Sequence, residues 1–300
     1  MNISEALKKR GVSVLHKIFE MVKTGQKADI SELESYVADM VAEVDSGKSE
    51  GQLVLLNSGD DTDYAVVHSV NVAFLSIIFA LRLKTKTDEL HDIALGALLH
   101  DIGKINTPDQ LIWKQEGEND YEKTTISEHV VLGSQWMKNA AMLPETIIDI
   151  IRNHHENFLG TGYPAGTPDR DLSQAVRIVS ICNYFEHLIH DVPGKPALLP
   201  RDAFFEVYQQ ANKKFALKIA SQFVNELGPM MMDGPLYQKT ALVLLDTREV
   251  AAVMKTESFG DSLPEILILT NSQGTKLARP LPVNLKKDNT RKIVKLLKQS

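Results

Sequence analysis

His100-Asp101-Ile102-Gly103-Lys104 is the stretch from which the fold and the chemistry of this chain can be inferred. The apolar run Ala94-Leu95-Gly96-Ala97-Leu98-Leu99 precedes it and predicts a buried helix that ends in a polar pair. Gly103 permits a tight exit from that helix. A buried histidine beside a buried aspartate is costly unless both are compensated. A divalent metal ion would compensate both, and a hydrogen-bonded helix terminus is the alternative.

Further histidines recur around this pair at intervals that suit a helical bundle. The gaps from His68 to His100, from Asp101 to His129 and from His129 to the pair His154-His155 are 32, 28 and 25 residues. Metal sites in bundles are built from inward-pointing side chains on facing helices. The number of ligands exceeds what one tetrahedral ion needs, which predicts two metal ions bridged by Asp101. The remaining histidines are predicted to be surface residues: His16, His91, His187 and His190.

The apolar periodicity predicts a mainly α-helical chain in three parts. Residues 1–57 predict a small helical module with a break at Gly25 and a second helix from near Ser31, with Glu34 as capping-box partner. Residues 58–233 predict a bundle, with helices near 62–83, 87–100, 122–140, 145–156, 172–190 and 201–227. Residues 234–300 predict a short β-rich tail, with strands near 241–245, 249–254 and 265–270 and a last basic helix over 291–298.

Composition narrows the class of protein. The chain has 300 residues, 43% of them hydrophobic and 24% charged, which suffices for a large core. The net charge of −6 argues against a general nucleic-acid binder. The longest apolar run, 72–81, is too short to span a bilayer, and the first residues lack a signal-peptide layout. The one cysteine, Cys182, fits a reducing compartment. We expect a cytoplasmic protein without nucleic-acid polymer or membrane partners, in which residues 1–57 pack on the rest or contact a protein partner.

A glycine-rich loop over 156–166 follows directly after the histidine pair. Its glycines permit close backbone approach to a ligand. Pro164 restricts Tyr163 to an extended conformation and so gives the tyrosine ring a defined direction. The position of Gly162-Tyr163-Pro164 after two candidate ligands therefore predicts a loop that faces the substrate.

The combined motifs resemble the HD-GYP phosphodiesterases, a bacterial branch of the HD metallohydrolase superfamily. The matching elements are 100–104, His129, His154-His155-Glu156, Gly162-Tyr163-Pro164 and 176–179, and the resemblance covers roughly 62–225. It implies an HD-type helical bundle and a role in bacterial signalling. Members of the family hydrolyse cyclic di-GMP to the linear dinucleotide or to GMP with two or three metal ions, often iron or manganese. For this chain we expect two metal ions.

The resemblance also implies a role for each matching residue. His68, His100, Asp101 and Asn183 would hold one metal ion, and Asp101, His129, His154 and His155 the other, with a bridging hydroxide as the nucleophile. Asp101, Lys104 and Tyr163 are the expected catalytic residues, and Lys104 would stabilise the phosphate or protonate the leaving oxygen. The expected substrate-binding residues are Lys104, Gly162, Tyr163 and Lys195.

The chain departs from the family at several positions. Asn183 replaces an aspartate ligand with a neutral amide, which binds metal more weakly. Tyr64 stands where three-metal members carry a glutamate, Leu159 replaces an aspartate, and Leu198 replaces the second arginine of an Arg-Pro-x-Arg pattern. An active cyclic di-GMP phosphodiesterase is the favoured interpretation. The alternatives are a degenerate member that binds metal and nucleotide as a sensor or interaction module, and a metal phosphohydrolase for another nucleotide.

Overall fold

The structure is a computed structural model that describes eleven stretches of the chain, which are 3–46, 53, 55–56, 64–107, 111, 119–140, 143–191, 196–258, 260–261, 263–288 and 290–298. The chain divides into two compact units, one of Met1–Leu199 with Ala211–Ala216 and one of Pro200–Gln210 with Leu217–Ser300. These units do not coincide with the predicted parts 1–57, 58–233 and 234–300. The predicted division into three parts concerns how the chain folds and functions, and it stays a prediction.

Helices dominate the described residues, which confirms the predicted fold class of a mainly α chain with a small C-terminal sheet. The first unit contains α1 (Glu5–Lys23), α2 (Ser31–Asp45), α3 (Tyr64–Arg82), α4 (Thr87–Leu99), α5 (Asp120–Ala140), α6 (Glu145–Asn153) and α7 (Gln174–Ile189). Short 3-10 helices cover Ile102–Asn106 and Asp169–Asp171. The second unit contains α8 (Pro200–Gln209) and α9 (Leu217–Met231).

The core of the first unit is built around α3. All of its residues from Tyr64 to Ala80 are buried, and it packs against α4 and α7. This helix is long and apolar enough to cross a membrane, but 94% of its most apolar window is buried inside the protein, as in a core helix. A helix that is apolar all round belongs in the middle of a bundle. Since α3 carries His68, the side chain of that histidine lies inside the core.

The N-terminal helices pack on this core. Ser4 caps α1 by accepting a hydrogen bond from the Leu7 N–H, and α1 contacts both α2 and α3. The predicted capping box of the second helix is wrong, because α2 begins after Ile30 and no side chain caps it. Instead the Ser31 N–H donates to Asp29 Oδ1 at 3.0 Å.

The second unit carries an antiparallel sheet of five strands. They are β1 (Leu242–Leu245), β2 (Val250–Lys255), β3 (Glu265–Thr270), β4 (Lys276–Asn284) and β5 (Ile293–Lys298), in the order β4-β3-β2-β1-β5. Val243 lies opposite Ala251, which lies opposite Ile268 on its other side, and all three are buried. One face of the sheet is therefore apolar core.

Two predicted elements are wrong. The single helix over 201–227 is two helices, because Asn212 adopts a left-handed backbone (φ 58°) and its N–H donates to the Phe215 carbonyl at 2.7 Å. The last basic helix over 291–298 is strand β5, since Leu296 pairs with Val243 of β1. Strand β4 has no counterpart in the prediction. Its prolines oppose strand formation, but β4 lies at the sheet edge, where proline is tolerated.

Candidate metal centre

The centre forms where α4 ends. His100 follows the last residue of α4, and Asp101 precedes the 3-10 helix Ile102–Asn106, which packs against α5. Gly103 is required for a different reason from the predicted one, since its backbone is not left-handed. A Cβ on Gly103 would lie 1.9 Å from the carbonyl oxygen of His129. Only glycine lets α5 approach closely enough to bring His129 to Asp101.

Asp101 lies at the middle of the centre, with each carboxylate oxygen facing two histidines. Oδ2 lies 3.3 Å from Nε2 of His100 and 3.7 Å from Nε2 of His68. Oδ1 lies 3.3 Å from Nε2 of His129 and 3.7 Å from Nε2 of His154. These side chains are at most 2% exposed. A carboxylate that faces one ligand group with each oxygen has the arrangement needed to bridge two metal ions.

The histidines are oriented by the backbone. Nδ1 of His100 contacts the Ala97 carbonyl at 2.7 Å, and Nδ1 of His154 contacts the Ile151 carbonyl at 3.0 Å. His129 makes the same kind of contact with the Ile126 carbonyl. An Nδ1–H that donates to a carbonyl leaves Nε2 without a proton and able to ligate a metal.

Several polar atoms at the centre are buried without a hydrogen-bond partner. They are Nε2 of His100, Nε2 of His155 and Oδ1 of Asp101. Ligand atoms of Asp101, His129, His154 and His155 lie within 4.8 Å of one another, as do those of His68, His100 and Asp101. Buried polar atoms are normally paired, so orphaned nitrogen and carboxylate atoms in these two groups fit divalent metal ions.

Burial also keeps the ligands in the state that metal binding requires. It lowers the pKa of His129 below its ordinary value of 6.5 and lowers the pKa values of His154 and His155 further. Burial pushes the pKa of Asp101 upward, but the neighbouring His100 and Lys104 outweigh it and hold that pKa well below 3.8. At neutral pH, His129, His154 and His155 are therefore neutral imidazoles and Asp101 is an ionised carboxylate.

The predicted catalytic lysine reaches the centre. Lys104 Nζ donates to Asp101 Oδ2 at 2.6 Å, and its side chain is 13% exposed. The 3-10 helix after Asp101 places the two side chains on the same side, three residues apart. Lys104 is thus a mostly buried cation in contact with the central carboxylate.

The glycine-rich loop lies against the histidine pair. The ring of Tyr163 stacks on that of His155, with centroids 4.6 Å apart. A Cβ on Gly162 would lie 2.4 Å from the His155 carbonyl oxygen, so glycine allows this close contact. The Tyr163-Pro164 peptide is cis, and burial raises the pKa of the Tyr163 hydroxyl. Lys195, the remaining predicted substrate residue, lies outside the described residues.

Asn183 lies on the His68 side of the centre. Its Oδ1 is 2.9 Å from Nε2 of His68, and the residue is 4% exposed. Nδ1 of the same histidine contacts the carboxylate of Glu186. His68 is therefore engaged at both ring nitrogens, whereas Nε2 of His100 and of His155 makes no hydrogen bond.

The sequence interpretation missed three residues that line this side. Glu186 is fully buried and accepts hydrogen bonds from Asn71 Nδ2 and His190 Nδ1, both at 2.8 Å. The ring of His187 stacks on His68 at 4.2 Å. The prediction that His187 and His190 are surface residues is wrong, because His187 is half-buried and His190 is 4% exposed.

A signal for these residues was present in the sequence. Asn183, Glu186, His187 and His190 follow one another at intervals of three, one and three residues, which places them along one face of α7. A polar face on an otherwise apolar helix indicates a polar site inside the core.

Of the other two histidines predicted to be surface residues, His91 is half-buried and His16 is exposed.

A pocket of about 160 Å³ borders the centre. It is lined by His154, His155, Glu156, Asn157, Ser180, Asn183, Tyr184, His187, Lys214 and Phe215. Candidate ligands from both sides of Asp101 thus share one pocket with residues of the turn Ala211–Ala216.

Comparison with known proteins identifies the family. The family model of the HD domain matches residues 60–219, more than half of the chain. A cyclic di-GMP phosphodiesterase of Pseudomonas aeruginosa is 27% identical over 257 residues, which cover 85% of this chain and 59% of the relative. A cyclic di-GMP phosphodiesterase of Borreliella burgdorferi is 24% identical over 204 residues, covering 68% of this chain and 52% of the relative. The chain thus spans little more than half the length of these two relatives.

A solved structure shares the fold. An HDG"Y"P protein from Bdellovibrio bacteriovorus superposes with a TM-score of 0.59 at 23% sequence identity, covering 72% of this chain and 69% of that protein. The recognition made from the motifs is confirmed, and the chain belongs to the HD domain family.

Proposed function

We propose that this chain is a metal-dependent phosphodiesterase that hydrolyses cyclic di-GMP to the linear dinucleotide, to GMP or to both. The observation that carries the proposal is the placement of Asp101 between two pairs of histidines, with His100 on one side and His129 on the other at 3.3 Å. The names of the relatives from P. aeruginosa and B. burgdorferi support this substrate.

The residues fit two divalent metal ions, and iron or manganese suits a set of imidazoles and one carboxylate. Asp101, His129, His154 and His155 would hold one ion, and His68, His100, Asp101 and Asn183 the other. When bound, such ions activate water at neutral pH and neutralise charge on the phosphoryl oxygens.

The protein's own side chains would bind and orient the substrate. Lys104 is close enough to Asp101 to donate to a phosphate oxygen beside it or to give a proton to the leaving oxygen. Tyr163 keeps its phenolic proton because burial raises its pKa, so it can donate a hydrogen bond to the phosphate. The bare backbone at Gly162 lets the loop lie flat beside this position. Lys195 is proposed as a further contact.

The two ion sites should differ in strength. The site of His129, His154 and His155 has orphaned or backbone-oriented ligands, whereas His68 already contacts Asn183 and Glu186. A neutral amide also contributes less to binding a cation than a carboxylate does. This observation favours the second candidate function, a degenerate protein that binds metal and nucleotide as a sensor or interaction module.

The surroundings of the enzyme are part of the proposal. We propose a cytoplasmic location, which suits a buried, unpaired Cys182. A protein partner at residues 1–57 would use the polar outer faces of α1 and α2, since most of the large apolar residues of these helices are buried.

The test is hydrolysis by protein purified without oxygen and loaded with iron or manganese. Cyclic di-GMP, cyclic di-AMP and 3'3'-cGAMP are incubated separately and the products are resolved. Metal-dependent conversion of cyclic di-GMP in preference to the others is the expected result. Preference for another dinucleotide would favour the alternative of a metal phosphohydrolase that acts on another nucleotide. Absence of turnover with all three, in protein shown to contain metal, would contradict the proposed activity and favour the binding function.

A further inference from the structure

The pocket beside the centre carries a single formal cation among the ten described residues that line it. That residue is Lys214; the other charged side chain in the lining is Glu156. A cyclic dinucleotide has two phosphodiester groups and therefore two negative charges. Lys104 is in contact with Asp101, and Leu198 offers no charge where the related motif has one. A second phosphate near the pocket thus has Lys214 as its nearest cation in the lining.

The backbone of Lys214 is fixed. Its carbonyl accepts a hydrogen bond from the Phe158 N–H at 2.9 Å, which ties the turn to the loop after the histidine pair. Asn212 closes the turn in a left-handed conformation, and the buried Phe215 anchors it. The exposed side chain of Lys214 therefore extends from a rigid base.

The ammonium group of Lys214 lies over an aromatic ring. Lys214 Nζ lies 5.0 Å from the centroid of the Tyr184 ring, and Phe215 contacts that ring edge-on at 5.5 Å. A cation–π contact at an exposed site contributes roughly 0.5–1 kcal/mol, which is less than a charge-assisted hydrogen bond to a phosphate would contribute. An ammonium on a flexible stem has three donors with which to meet a phosphate.

We propose that Lys214 binds a phosphodiester of the dinucleotide at the edge of this pocket, positioned by Tyr184 and Phe215. The inference rests on the proposed function and adds a residue to it. The pocket volume of about 160 Å³ is well below the range of roughly 300–1,000 Å³ for pockets that enclose a drug-sized ligand. The pocket therefore takes one part of the ligand, and the second phosphate stays at its edge, where an exposed lysine can reach it.

The test is equilibrium binding of the bis-phosphorothioate analogue of cyclic di-GMP, which resists hydrolysis. Calorimetry on the manganese-loaded 300-residue chain compares the wild type with K214M, K214R and K213M. Lys213 is the matched control, because it is the exposed neighbour of Lys214 but does not line the pocket. K214M should weaken binding about tenfold, as expected for one lost charge-assisted hydrogen bond. K214R should retain most of the affinity, and K213M should match the wild type.

The outcomes separate this inference from the proposed function. If the wild type binds and K214M binds equally well, Lys214 is not a phosphate ligand and only this inference is overturned. If K213M loses as much affinity as K214M, the effect belongs to general surface charge, which also overturns it. If the wild type does not bind the analogue, the proposed function falls and the inference falls with it.

Discussion

Replacing Asn183 with aspartate should change the metal-free and the metal-loaded protein in opposite directions. Asn183 is 4% exposed and its oxygen lies 2.9 Å from His68. In metal-free protein, N183D adds a buried negative charge to a region that already holds Asp101 and Glu186. Burial of a carboxylate costs several kcal/mol, and a charged hydrogen bond to His68 recovers part of this.

The net cost is about 2 kcal/mol of unfolding free energy, after roughly 2 kcal/mol of hydrogen bonding offsets a penalty of about 4 kcal/mol. For a chain of 300 residues this cost corresponds to a Tm about 3 °C lower without metal. With metal, a charged ligand replaces a neutral one, so manganese should bind at least about tenfold more tightly. Manganese at 100 times its Kd stabilises a protein by about 2.7 kcal/mol, which should restore the Tm of N183D.

Thermal unfolding over a manganese titration measures both effects in one experiment. N183A is the control, because it removes the amide oxygen without adding charge and should weaken manganese binding. A metal-free Tm of N183D that equals or exceeds that of the wild type would refute the reasoning about buried charge. An unchanged manganese affinity would show that position 183 does not ligate the metal.

Further predictions concern the ligands, the lysine, the carboxylate behind His68 and pH. H154A should lose metal, measured by elemental analysis, together with about 99% or more of activity; full metal retention would contradict the ligand assignment. K104M should retain metal but lower kcat about a hundredfold, and an unaffected rate would place Lys104 outside the reaction. E186Q should weaken manganese binding about 10–100-fold by disturbing His68, and calorimetry giving an unchanged Kd would argue against that role. Burial lowers the pKa values of four described histidines below 6.5, which are His129, His154, His155 and His187. Because the unfolded chain then binds protons more readily than the folded one, each of these histidines should lower the unfolding free energy by about 1.4 kcal/mol per pH unit below 6.5, until its folded-state pKa is reached. A metal-free Tm that stays flat from pH 7 to pH 5 would contradict this.

The arrangement around Asp101 was largely predictable from the sequence. Histidines at intervals of 25 to 32 residues, each on a helix or directly after one, place one side chain per helix toward a common core. That reasoning needs only helical periodicity, and α3, α4, α5 and α6 supply it. Their placement in one cluster is a structural finding, and their roles as ligands stay proposals.

The contacts behind His68 were not predicted, because they depend on packing between helices. Glu186 lies 118 residues from His68 in the chain, and only the contact of α3 with α7 brings them together. The role of Gly103 was misjudged for the same reason, since the constraint is the backbone of α5 at His129. Local patterns describe one helix at a time and do not report such approaches.

The errors at the C-terminal end have local causes. Residues 201–227 have helical periodicity throughout, but the left-handed Asn212 breaks the helix, and asparagine tolerates that conformation better than most residues. The segment 293–298 has both apolar and basic residues and is compatible with a helix or a strand. The segment is a strand because it pairs with β1. This pairing is a contact between residues far apart in the sequence, which a local pattern does not report.

The most direct test of the account is a titration of manganese into metal-stripped wild-type protein, in which bound metal and hydrolysis of cyclic di-GMP are measured in the same samples. We predict that the stripped protein is inactive and that the rate rises as the weaker site fills, after the first ion has bound. Hydrolysis by the stripped protein, or no hydrolysis after two ions have bound, would contradict the claim that the Asp101 centre is a two-metal phosphodiesterase site.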